Sequence, residues 1–184
     1  MKTFLEEAVS EILSSHSTVD ELIIILPSRR AGVFFKDALT AQLITPILSP
    51  KIFSIEEFIQ EISTLKLARS PAALIDFYEI YNANTPTAYL DSFEEFIRWA
   101  PALLKDFSDL DAYLIEVGAA FEFLSSYHAI ETLLEDGTTF EKQQFFWQSL
   151  AKYFELHKNS LSSKGMGSLG MLYREAVDSV EIYL

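Results

Sequence analysis

Phe4, Leu5, Ala8, Val9, Ile12 and Leu13 recur at the spacing of one helix face, predicting an amphipathic helix over residues 3–15. Thr3 and Glu6 stand in front of it as a capping box, each side chain able to satisfy a free backbone N–H. The pattern then changes. Leu22-Ile23-Ile24-Ile25-Leu26 is short, continuous and β-branched in its middle, the signature of a parallel strand covered on both faces. Pro27 stops it, and Ala31 to Leu43 returns to helical composition. Pro46 to Phe53 predicts a second short strand, interrupted by Pro50. Ser54 and Glu57 form another capping box, followed by a helix with Ile55, Phe58, Ile59, Ile62 and Leu65 on one face. Strand, helix, strand, helix is the opening of an open α/β sheet.

Beyond residue 70 the pattern is almost wholly helical. Pro71 suits the first turn of a helix whose buried face is predicted as Leu74, Ile75, Tyr78 and Tyr81. Ser92 and Glu95 cap the next, with Pro101 inside its register predicting a kink or two abutting helices. Further helices are predicted near 118–127, 140–158 and 168–184. The fold class expected is therefore α/β but helix-dominated: a small parallel sheet in residues 1–68, then a mostly helical part, 69–184. The apolar stripe of the last helix continues to Leu184, pointing to a fragment of a longer chain.

Composition narrows the classes. The 184 residues carry a net charge of −13 and are 49% apolar, too hydrophobic for a disordered tail. A chain this long buries roughly 70% of its unfolded surface, enough for one domain or two lobes. It has no cysteine, which removes disulfides, thiolate metal sites and thiol nucleophiles from this segment. No apolar run approaches the about 20 residues that span a bilayer, so no membrane partner is expected and the cytoplasm is the default address. The negative charge repels nucleic-acid phosphate at long range, so any DNA contact must be local.

The turn at 27–34 sits where an α/β protein keeps its phosphate-binding loop. Such a loop reads GxxxxGK[ST]: glycine amides wrap the phosphates, the lysine reaches the terminal ones and the hydroxyl holds magnesium. Aligned on Gly32, this sequence offers Pro27, Val33 and Phe34 at the glycine, lysine and hydroxyl positions. The turn is a degenerate P-loop, and no cofactor is expected in this segment. Ser28, Arg29, Arg30 and Gly32 are the candidates for a retained anion contact at the helix N-terminus; the alternative is a solvated arginine pair.

The remaining motifs read as structure. Gly165 to Gly170 matches GxGxxG, but a helix-like segment precedes it, so a flexible turn between helices is expected. Asp106, Asp109 and Asp111 lack the glycine and glutamate of a calcium loop; capping and solubility are expected of them, and no metal site. His16, His128 and His157 are scattered, as surface or half-buried helix residues. Phe145, Phe146 and Trp147 share helical spacing with Leu150, Tyr153 and Phe154, which favours core over base stacking. No lysine follows an acidic residue by two positions, as the magnesium nucleases of the PD-(D/E)xK class require, and no GxSxG elbow is present.

Leu26-Pro27-Ser28-Arg29-Arg30-Ala31-Gly32 after an apolar strand resembles the signature of AddB-like proteins, subunits of bacterial double-strand-break repair nucleases. Ile52 to Phe58, Leu103 to Phe107 with Asp109 and Asp111, and Lys164 to Gly167 ahead of Leu172 to Ala176 extend the likeness along the chain. Together they resemble the N-terminal segment of the Bacteroidetes-type PD-(D/E)xK nuclease family. The resemblance implies a helicase-like lobe with a helical insertion, inside a longer parent whose nuclease site lies elsewhere. It implies a non-catalytic scaffold that reaches DNA through the parent, an ATP-dependent exodeoxyribonuclease subunit working with an AddA-like helicase-nuclease. The rival readings are an acidic helical adaptor without a nuclease, and an NTPase with an unorthodox loop.

Overall fold

In the computed structural model the backbone is described for residues 3–131 and 138–183, and side chains for 3–127 and 141–181. Eight α-helices and four short strands are found among the described residues. The chain divides into two compact units, 1–62 and 63–184.

The first unit begins with α1 (Phe4–Ser15), whose Thr3–Glu6 capping box is formed in both directions. Strand β1 (Ile23–Leu26), helix α2 (Arg29–Gln42) and strand β2 (Lys51–Ser54) then make one βαβ unit. The two strands run parallel, with Ile23 opposite Lys51 and Leu26 opposite Ser54. β2 begins only after Pro50, not at Pro46, because proline has no N–H to give the ladder. Helix α3 (Ile55–Ile62) follows at once, and Ser54 is both the last strand residue and its cap. Val9, Phe35 and Leu39 form the core, with Ile24, Leu26 and Ile52 of the sheet packed against them. The expectation of a strand covered on both faces is not met. Ile25 is 44% exposed, because within this unit those helices cover the side of the sheet that Ile24 and Leu26 occupy.

The second unit contains β3 (Lys66–Leu67), α4 (Ala72–Asn84), a 3-10 turn (Thr87–Tyr89), α5 (Phe93–Ala112), α6 (Val117–Glu131), α7 (Thr138–Ser163), β4 (Met166–Gly167) and α8 (Leu169–Tyr183). Residues 63–68 belong here because β3 pairs in parallel with β4. Phe77, Tyr81, Phe96, Ala100, Phe107, Phe121, Leu150, Tyr153 and Phe154 make an aromatic core. α5 is a single helix that runs through Pro101, so two abutting helices are excluded. The buried face of α4 is also rotated from expectation: Phe77 is fully buried and Ile75 is 52% exposed. Phe77 meets Phe96, Phe107 and Tyr153 at ring-centroid distances of 5.7, 6.0 and 6.1 Å, contacts that outweigh one aliphatic side chain.

The turn expected between the last two helices holds β4 instead. Gly165 adopts φ +64°, which glycine tolerates without strain. Gly170 serves close approach: a Cβ there would lie 1.7 Å from the Ser108 carbonyl oxygen, so only glycine lets α8 pack this near α5. Because α7 leads directly into Gly165, the GxGxxG run lacks the preceding strand of a dinucleotide site.

Candidate functional site

β1 delivers the chain to a turn where Ser28 takes an extended conformation and caps α2, its hydroxyl accepting from the Ala31 N–H at 3.2 Å. Strand, turn and helix follow one another here, and the helix starts two residues earlier than its composition suggests. Of the four candidate residues, two reach the cleft beside this turn. Arg29 and Gly32 line a 170 Å³ hollow with Val33, Lys36, Ser54 and Glu57. Ser28 is committed to its cap, and Arg30 lies over the Phe34 ring at 5.7 Å in a cation–π contact. Gly32 is buried, and an added Cβ would lie 3.4 Å from Ile52 Cγ2, about van der Waals contact.

Glu57 changes the chemistry of the hollow. Its Oε1 lies 2.7 Å from Arg29 Nε, and its Oε2 accepts from the backbone N–H and hydroxyl of Ser54 at 2.9 and 2.8 Å. The Ser54 N–H, then its hydroxyl, and then Arg29 hold the Glu57 carboxyl below the usual range. Arg29 is therefore already paired, and an incoming phosphate must compete with a carboxylate. Lys36, not singled out from the sequence, joins the cleft as the next turn's neighbour of Gly32. The i,i+4 spacing was the available signal. Val33 and Phe34, expected from the sequence at the positions of a P-loop's lysine and hydroxyl, are 58% and 51% exposed. The hollow offers the Arg29 and Lys36 cations and the amides at the start of α2 to an anion, with Glu57 already on Arg29.

Among the described residues, the buried carboxylates Asp76 and Asp111 both lie in the second unit. Asp76 is 8% exposed, with Oδ1 accepting from Ser160 Oγ at 2.7 Å and from Lys164 Nζ. Its Oδ2 faces His157 Nδ1 at 3.3 Å. Burial pushes the Asp76 carboxyl up, but the hydrogen bonds of Lys164 and Ser160 outweigh it and leave it below its ordinary value. Burial pushes His157 down, and the neighbouring Asp76 only partly restores it. His157, expected at or near the surface, is in fact 6% exposed because it packs edge-on against Phe77 at 5.4 Å. His16 is exposed; the His128 side chain lies outside the described residues.

The three aspartates separate. Lys105 pairs with Asp109 across one helical turn at 2.6 Å, a solvated surface pair. Asp111 is 2% exposed, with Arg174 Nε at 2.8 Å and Lys158 Nζ at 3.1 Å from the same oxygen, so it serves packing rather than solubility. Arg174 also donates to the Leu110 and Ile115 carbonyls, tying α8 to the end of α5. Among the described residues no three His, Asp or Glu side chains gather as a metal site, and no helix is long and apolar enough to cross a membrane. Phe146 and Trp147 pack against the aromatic core. No family model, curated protein or solved structure matches this chain.

Proposed function

We propose that this chain is a non-catalytic, helicase-derived scaffold segment of an AddB-like DNA-repair nuclease. One observation supports the reading: a parallel βαβ unit holds residues 26–32 at its strand–helix turn, with Val33 and Phe34 exposed in the first turns of the helix. In this reading the architecture of a phosphate loop persists and its motor chemistry is gone. The segment meets DNA through its parent protein, in the cytoplasm, beside an AddA-like helicase-nuclease. Arg29, Arg30 and the amides after Ser28 supply any phosphate contact, with Arg29 exchanging Glu57 for the backbone of a DNA strand.

Two measurements test it. Calorimetric titration with ATP and magnesium is expected to give no saturable binding; turnover by this segment overturns the scaffold reading. In the assembled parent complex, replacing Arg29 and Arg30 by Ala is expected to reduce the salt dependence of DNA binding by about two counterions. An unchanged slope removes both arginines from the DNA contact.

A further inference from the structure

A second site stands apart from the strand–helix turn and owes nothing to it. Between α4, the 3-10 turn, α5 and α7 lies a cavity of 390 Å³, within the range of ligand pockets. Six aromatic rings line it: Tyr81, Tyr89, Trp99, Phe145, Phe146 and Tyr153. The rings brace one another, Tyr81 against Trp99 at 5.4 Å, Trp99 against Phe146 at 5.2 Å and Tyr89 against Phe145 at 5.5 Å. Such a wall is pre-formed, so a guest does not first have to order it.

The buried polar atoms of the wall are paired within it. Tyr81 Oη and Trp99 Nε1 both donate to Asp91 Oδ2 at 3.1 Å, and Thr85 shares a 2.7 Å hydrogen bond with the Tyr153 hydroxyl. A guest therefore meets mostly ring faces. Two groups still have capacity, the exposed Gln143 carboxamide and Lys142. Lys142 gives one of its three N–H bonds to Asp91 Oδ1, and its side chain is 41% exposed.

Charge decides the guest. A cation finds Lys142 already on the carboxylate that would have received it. An anion finds Asp91 at the wall and meets the charge of Glu141, which accepts a hydrogen bond from the lining Tyr89 hydroxyl at 3.2 Å. We propose that this pocket binds a neutral planar aromatic ring with a carbonyl-type acceptor on its edge, the ring stacked among the partly exposed Trp99, Phe145 and Phe146 and the acceptor on Lys142.

The test follows the Trp99 indole N–H by NMR in the intact chain, with benzamide as probe. Benzylamine, benzoate and cyclohexanecarboxamide are the charge and ring controls. Benzamide is expected to shift that resonance saturably, and each control to bind at least about tenfold more weakly. Lys142→Met keeps the stem and the rings but removes the donor, and is expected to weaken benzamide about tenfold. Phe145→Leu keeps the Lys142–Asp91 pair, removes one ring face, and is expected to weaken it as well. No saturable shift with benzamide, equal binding of the charged probes, or full affinity in both folded variants overturns the proposal.

Discussion

The buried charges of the second unit make single side chains answerable to pH. His157 is held below its ordinary 6.5, so the unfolded chain takes up this proton more readily than the folded one. Its contribution to stability is complete above that value and is lost as pH falls below it. Asp76, also held down, contributes above its ordinary 3.8 and fails further into acid. Both signs agree. The denaturation midpoint is expected to drop between about pH 7 and about pH 5, and His157→Gln to flatten that drop. A wild-type midpoint constant over the same interval would exclude an uncharged, buried His157. Sequence spacing had left this histidine as a surface or half-buried residue, since nothing local announces that it packs on Phe77 beside the Asp76–Lys164 pair.

At the scale of elements, helix beginnings were legible and crossings were not. Thr3–Glu6, Ser54–Glu57 and Ser92–Glu95 all form their reciprocal hydrogen bonds, because a cap involves atoms only three residues apart. β3 and β4 were missed, because two-residue strands carry no period and owe their pairing to a partner about a hundred residues away. The α5–α8 crossing gives a sharp test. Gly170→Ala places a methyl group on the Ser108 carbonyl and is expected to cost at least about 3 kcal/mol in thermal unfolding. Gly165→Ala, with open space but positive φ, is expected to cost only about 1 kcal/mol. Equal losses at both positions would mean that the helices separate easily.

For the whole molecule, the two units differ in the core each commands. The buried cluster of the first joins three side chains, Val9, Phe35 and Leu39, with partly buried neighbours; that of the second gathers nine, seven of them aromatic. Small cores hold less stability, so amides of α1 to α3 are expected to exchange hydrogen at lower opening free energies than those of α5 and α7. Phe77→Ala should cost about 3–5 kcal/mol and lower protection across the second unit. Uniform protection along the whole chain would show that it opens as one body.

What the sequence alone determined was written in neighbouring residues: a helix-dominated chain, a parallel pair of strands bracketing a helix, and the caps. Those features depend on spacing, turn chemistry and side-chain identity, all local quantities. Only the tertiary structure decided that Arg29 is paired with Glu57, that Asp76, Asp111 and His157 are buried, and that six rings surround a cavity beside Lys142. Burial, pairing and enclosure are relations between distant segments, and no periodicity along the chain encodes which of them will meet.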